Sequence, residues 1–265
     1  MSEKPVDADK FFIPFSRTVN KYPLPTRFIL DNSPHPLALH AAKDLQQYLK
    51  TQKDWVHNFG LSSAQKGKVI GKMFGVLVVK TWQNDLGYLA AFSGKLANSN
   101  QHSKFVPPVF DGLCKDSFVN EGMRELSRLN LEIKDLEESI PASYDNQVEV
   151  LKSKRRSHSN KLQQQIFDHY FFLNQDGAQK SLTQLFKNAA YKNPPSGAGE
   201  CAGPKLLQYA FQHQMTPITL TEFWWGLSPK SAQWKHGHFY RCCKEKCQPI
   251  LEHMLEGLEF REFES

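Results

Sequence analysis

The stretch KMFGVLVVKTWQNDLGYLAAF, residues 72–92, sets two apolar runs around a short polar break. Phe74, Val76, Leu77, Val78 and Val79 are β-branched, aromatic or aliphatic side chains that pack well on a pleated strand. Tyr88, Leu89 and Phe92 resume that character after Gln83, Asn84, Asp85 and Gly87, which favour turns. Runs of this kind separated by turn residues predict a β-hairpin over 72–93. Polar and apolar residues do not alternate across Val76, Leu77, Val78 and Val79. That strand is therefore expected to be covered on both faces.

Upstream, Pro14, Pro23, Pro25, Pro34 and Pro36 are five of the chain's fifteen prolines. Proline fixes φ and removes a donor, so this segment is expected to run extended. Leu39, Leu45, Leu49 and Trp55 repeat at rough helical spacing and predict a helix over 37–59, stopped by Gly60. Downstream of the hairpin, Pro107-Pro108 marks a break and a domain edge. Leu126, Leu129, Ile133, Leu136 and Ile140 then follow 3-4-3-4 spacing, a heptad seam that Pro141 ends. Asn146 and Glu149 resemble a capping box opening a second helix through Leu162, Ile166 and Tyr170. Two long helices across a short turn make an antiparallel arm. Further on, helices are expected over 180–190, 205–214 and 247–258, with a strand over 218–225.

The fold class expected is α+β, in three parts. Residues 1–118 form a mixed domain with the β-hairpin, 119–173 a coiled-coil-like helical hairpin, and 174–265 a Cys/His-containing α/β domain.

Composition narrows the function classes. Forty percent apolar residues, with 19 Phe, 8 Tyr and 5 Trp, can fill a core in a chain of 265. Mean hydropathy is −0.52, and the longest aliphatic stretch is Val76 to Val79, far below the roughly 20 residues a spanning helix needs. The opening MSEKPVDADK carries acids where a signal peptide needs a basic, then apolar, run. The expectation is a cytoplasmic protein with no membrane partner. Five cysteines, three of them at 242, 243 and 247, do not make a secreted disulfide framework. No phosphate-binding loop, dinucleotide fingerprint or Gly-x-Ser-x-Gly elbow occurs.

The formal charge is +6. Between 150 and 193, eight Lys or Arg face only Asp168 and Asp176. Lys152, Lys154, Arg155, Arg156 and Lys161, on the second helix of the arm, are the candidate RNA contacts. Such a run neutralises phosphates and releases counterions. The first helix and turn, 121–149, hold eight acids against Arg124, Arg128 and Lys134, so pairing between the two helices is the competing reading.

WKHGHFYRCCKEKC, residues 234–247, crowds His236, His238, Cys242, Cys243 and Cys247 together. With Cys201 from GAGECAGPKLL, the residues Cys201, His238, Cys243 and Cys247 could supply the four tetrahedral ligands zinc takes. The competing reading makes them small buried hydrophobes, and Cys114 and Cys242 incidental. A cysteine at a helix start, a strand, then two spaced cysteines at a second helix start is also the order in nucleobase zinc deaminases. Those enzymes use a Glu close to the first ligand. Position 203 is Gly and the nearest acid in sequence, Glu200, precedes Cys201, so this alternative gives a zinc-binding, deaminase-like and inactive domain. Phe223, Trp224 and Trp225 could stack on bases, but beside Ile218 and Leu220 they read as core.

Several longer segments carry a resemblance. GKMFGVLVV (71–79), GYLAAFSGKL (87–96), FVPPVFD (105–111), LQQQIFDHYFFLNQDG (162–177), PPSGAGECAGPKLLQYA (194–210), EFWWGLSP (222–229) and HGHFYRCCKEKC (236–247) are similar to one N-terminal region. It belongs to the extended bacterial pseudouridine synthases of the ribosomal large subunit synthase A type. The resemblance implies action on structured RNA, ribosomal or transfer. In that family the nucleophilic Asp lies in a His-Arg-Leu-Asp motif of a following catalytic domain, and no such motif occurs in these 265 residues. The implied role is an accessory, RNA-binding region with no catalytic residue of its own, serving a pseudouridine synthase domain in cis or in trans. A protein-interaction module built on the helical hairpin is the alternative.

Overall fold

A computed structural model of the chain describes residues 10–16, 22–30, 33–64, 66–139, 145–187, 189, 192–230 and 233–258. The chain is mixed α+β and divides into two units, 110–170 and the remainder. In the larger unit the elements before the break are β1 (Ile13–Pro14), β2 (Ile29–Leu30), α1 (Pro36–Thr51), β3 (Lys72–Lys80) and β4 (Leu86–Phe92). The smaller unit holds α2 (Phe118–Ser139) and α3 (Asp145–Phe167). The larger unit resumes with β5 (Phe171–Leu173), β6 (Gln179–Ser181), α4 (Leu182–Phe186), α5 (Ala202–Gln212), β7 (Thr216–Trp225), β8 (Phe239–Tyr240) and α6 (Lys244–Met254).

The expected hairpin is β3–β4, antiparallel from Phe74 opposite Phe92 to Lys80 opposite Leu86. Its turn places Asn84 at φ 67, a left-handed conformation that Asn tolerates, and Thr81 Oγ1 accepts the Asp85 amide at 3.1 Å. The sheet order is β1-β4-β3-β7-β2, with β8 also on β7. The β3 strand is central and everything from Phe74 to Val79 is buried, as the unbroken apolar run requires.

Successive side chains on β3 point to opposite layers. Phe74 and Val76 join Tyr88, Ala90, Phe92, Phe105, Phe223 and Trp225 against Ala41, Ala42 and Leu45 of α1. On the other face Gly75 meets α5: a Cβ at residue 75 would lie 2.9 Å from Ala202 Cβ and 3.1 Å from Leu206 Cδ1. The missing side chain lets the first turn of α5 lie directly on the sheet.

Helix α1 starts at Pro36 with His35 Nδ1 accepting the Leu37 amide at 3.3 Å. It stops at Thr51 rather than 59. Gln52 turns extended, and its side-chain amide bonds both the N–H and the C=O of Trp55, at 3.2 and 3.1 Å. The 180–190 helix shrinks to α4, which opens on a capping box between Ser181 and Gln184 behind the β5–β6 hairpin. The helices expected over 205–214 and 247–258 begin three residues earlier, at Ala202 and Lys244.

The expected division of 1–118 from 174–265 is corrected by the sheet itself. β3 pairs antiparallel with β7 from Lys72 opposite Trp225 to Lys80 opposite Thr216, so one core contains both segments. Only the helical hairpin separates, close to the edge marked by Pro107-Pro108.

Within the smaller unit α2 and α3 run antiparallel. His158 Nε2 lies 3.1 Å from Gly122 O, Arg155 bonds Asn130, and Lys152 pairs with Glu137, so one number rises as the other falls. Leu129 and Ile133 of the expected seam are buried, with Leu126 and Leu136 half-buried. Ile140 and Pro141 lie outside the described residues. At the open end Phe110 stacks on Phe118 with ring centroids 6.0 Å apart and meets His169 at 5.0 Å. No described helix is long and apolar enough to cross a membrane.

Candidate metal centre

Two helix starts converge beside β7. Cys201 is the N-cap residue of α5 and Cys243 that of α6, both in extended backbone, and Cys247 follows in α6. Hydrogen bonds fix the first of these starts on either side of Cys201. The Gly94 amide donates to Glu200 O at 2.9 Å, and the buried Lys205 Nζ donates to Phe92 O at 3.0 Å. Thus the exit of β4 holds the first turn of α5 in place.

The sulfurs of Cys201, Cys243 and Cys247 all lie within 4.8 Å of one another, and Cys243 Sγ is 3.4 Å from Cys247 Sγ. A tetrahedral zinc about 2.3 Å from each sulfur would set them about 3.8 Å apart, so the cluster brackets the required spacing. Cys247 is buried, Cys201 half-buried and Cys243 exposed, which leaves the group reachable from solvent. The neighbouring Cys201 and Cys247 thiols, then the Lys246 and Cys247 amides, hold the Cys243 thiol well below its ordinary range. The same sharing of protons pushes Cys201 and Cys247 up. Helix N-termini carry partial positive charge and favour a thiolate there.

His238, the fourth ligand expected, is not part of the cluster. Pairing of Phe239 and Tyr240 with β7 draws the preceding residue to the sheet edge. There the His238 carbonyl accepts the Trp224 amide at 3.0 Å, and its side chain is exposed. His236 is likewise engaged elsewhere, its Nδ1 accepting the Gly226 amide at 3.0 Å.

One acid was not anticipated. Glu222, on β7 opposite Gly75, is 3% exposed, and its Oε1 accepts the Gly203 amide at 2.9 Å. A Cβ at residue 203 would lie 3.1 Å from Cys242 Sγ and 3.6 Å from Glu222 Oε1. Glu222 therefore sits between the two helix starts that carry the sulfurs, and Cys242 is no incidental thiol. Burial pushes the Glu222 carboxyl up to about 7, against the pull of the Gly203 amide. Glu200 is the nearest acid in sequence, but the fold brings Glu222 from a strand to the start of α5. The sequence signal was a glutamate among Leu220, Phe223, Trp224 and Trp225 of the expected strand, a placement costly unless the carboxyl is hydrogen-bonded.

The five basic candidates belong to the other unit. Lys152 Nζ lies 3.1 Å from Glu137 and 3.3 Å from Glu149, Lys154 Nζ 4.0 Å from Glu125, and Arg155 Nη1 donates to Asn130 at 3.1 Å. Arg156 and Lys161 are exposed and form no ion pair with the described residues. Residues 110–170 hold nine Lys or Arg against eleven Asp or Glu, so the arm as folded is slightly acidic. The positive excess lies in the sheet-bearing unit, with 24 against 16. Phe223, Trp224 and Trp225 are buried, as core residues should be.

No protein-family model, curated protein or solved structure matches this chain. The chemistry of the centre rests on its own geometry.

Proposed function

We propose that the chain is a zinc-binding accessory region of an RNA-modifying system, with Cys201, Cys243 and Cys247 as the protein ligands. The observation that carries the reading is the convergence of three sulfurs within 4.8 Å at two helix starts. Three protein ligands leave the fourth position open, the arrangement of a catalytic rather than a purely structural zinc. Protein purified without chelator is expected to contain about one zinc per chain. His238→Ala retains it and Cys243→Ser loses it; equal zinc in all three would refute this ligand set.

The RNA side of the proposal rests on the segments similar to the pseudouridine synthase N-terminal region and on the distribution of charge. Structured RNA, ribosomal or transfer, would be held by phosphate contacts and presented to a catalytic domain in cis or in trans. The 24 basic residues of the sheet-bearing unit supply most of the field, and Arg156 and Lys161 an exposed edge on α3. Fluorescence anisotropy with transfer RNA is expected to show affinity that falls steeply between two salt concentrations. Replacing Arg156 and Lys161 with Ala should weaken binding more than replacing Lys152 and Lys154. Affinity unmeasurable at low salt would end the RNA reading. Exposed Met123, Leu131 and Val150 on the arm favour a second reading, a protein-docking hairpin, which light scattering with a candidate partner would reveal.

A further inference from the structure

The geometry points to a hydrolytic deaminase centre in which Glu222 is the catalytic proton carrier beside the three-cysteine metal site. It rests on the zinc reading above and adds a reaction and a substrate class: the exocyclic amine of a nucleobase.

Hydrolysis at a zinc of this kind needs an open coordination position and a carboxylate that is not a ligand. In the general arrangement the carboxylate projects from the helix two residues after the first ligand. Here that position is Gly203, and the space its side chain would fill is occupied from outside. Glu222 Oε1 stands 3.6 Å from where the residue 203 Cβ would be, close to the reach of a glutamate's own carboxylate from its Cβ. The Gly203 amide fixes that oxygen at 2.9 Å, so the acid is held as firmly as one carried by the helix.

Two further features make the exchange work. Gly75 lies opposite Glu222 on β3, and the absence of a side chain there admits the first turn of α5 against the sheet. Cys242 Sγ, 3.1 Å from the residue 203 Cβ position, closes the other side and precedes the ligand Cys243. The buried carboxyl is bonded to the Gly203 amide and to the Cys242 thiol. It is well placed to move a proton.

The metal would polarise a water in its open position. Glu222 would take one proton from that water as its oxygen bonds to the ring carbon bearing the amine and the C=N electron pair moves onto the adjacent ring nitrogen. Glu222 would then deliver the proton to the amine nitrogen, and the ring C=N bond would re-form as the exocyclic carbon–nitrogen bond breaks and ammonia leaves. The remaining hydroxyl hydrogen would move to the adjacent ring nitrogen as the carbonyl forms. One water enters, one ammonia leaves, and no electrons change hands.

The test uses the full chain with its zinc content measured beforehand. Ammonia release is followed from cytidine, adenosine and a single-stranded RNA containing both bases. Wild type is expected to release ammonia from at least one. Glu222→Gln keeps its zinc and loses activity by at least about 100-fold, the usual worth of a positioned acid–base group. Release equal in wild type and Glu222→Gln, or none from any of the three by protein holding one zinc, would overturn the proposal and leave the metal reading standing. Protein without zinc would instead remove the metal reading on which it rests.

Discussion

Phe74→Ala is expected to cost about 3–5 kcal/mol, the range for losing a fully buried aromatic ring. Phe74 is fully buried on the central strand and its ring faces four others. Centroid distances are 6.1 Å to Phe59, 5.8 Å to Phe105, 6.0 Å to Phe223 and 6.4 Å to Phe92. These neighbours come from both segments that flank the helical arm, so the cavity would open where the two halves of the chain meet. Packed rings cannot all close on it, which is why such cavities cost more than transfer of the lost atoms. Urea unfolding of Phe74→Ala and Trp82→Ala provides the comparison. Trp82 is half-exposed at the hairpin turn, and its loss should stay within about 0.5 kcal/mol. A Phe74→Ala loss below about 1 kcal/mol would mean that β3 is not the centre of the core.

Stripping the proposed zinc is the second large effect expected. At free zinc 1,000-fold above its dissociation constant, binding stabilises the native state by about 4 kcal/mol. Chelation is therefore expected to lower the thermal midpoint by many degrees. The cost would fall on α5 and α6, whose first turns meet at the sulfurs, and on Lys205, which ties α5 to the end of β4. The signature is non-additivity. Cys243→Ser should start at the lower midpoint and barely respond to chelator, because it has already lost the ion. Equal responses of wild type and Cys243→Ser would show that the stabilisation comes from elsewhere.

Much of the larger unit was legible in the sequence because its strands are chemically simple. The unbroken run Val76 to Val79 pointed to a strand covered on both faces, and a strand was also expected over 218–225, within β7. Pairing was not legible. A hydrophobic period tells which residues face inward but not which distant strand lies alongside, so the partnership of β3 with β7 went unseen and one core was read as two domains. Helix α1 ended early because Gln52 hydrogen-bonds to Trp55, a local contact that periodicity cannot register.

The site divides similarly. Cys-x3-Cys plus a third cysteine at another helix start was readable, since ligand spacing follows helical geometry. His238 was close in sequence but belonged to the sheet edge. Glu222 was invisible as a partner of Cys201 because only the fold brings a strand residue against a helix start. The charge pattern left two readings of α3 open, and the pairs of Lys152 with Glu137 and Lys154 with Glu125 are those the acidic 121–149 segment allowed.

X-ray absorption at the zinc edge tests the metal centre most directly. Three sulfurs at about 2.3 Å and one oxygen or nitrogen at about 2.0 Å are expected, unchanged in His238→Ala. A fourth sulfur, which would enlist Cys242, or a histidine contribution lost in His238→Ala, would contradict that ligand set.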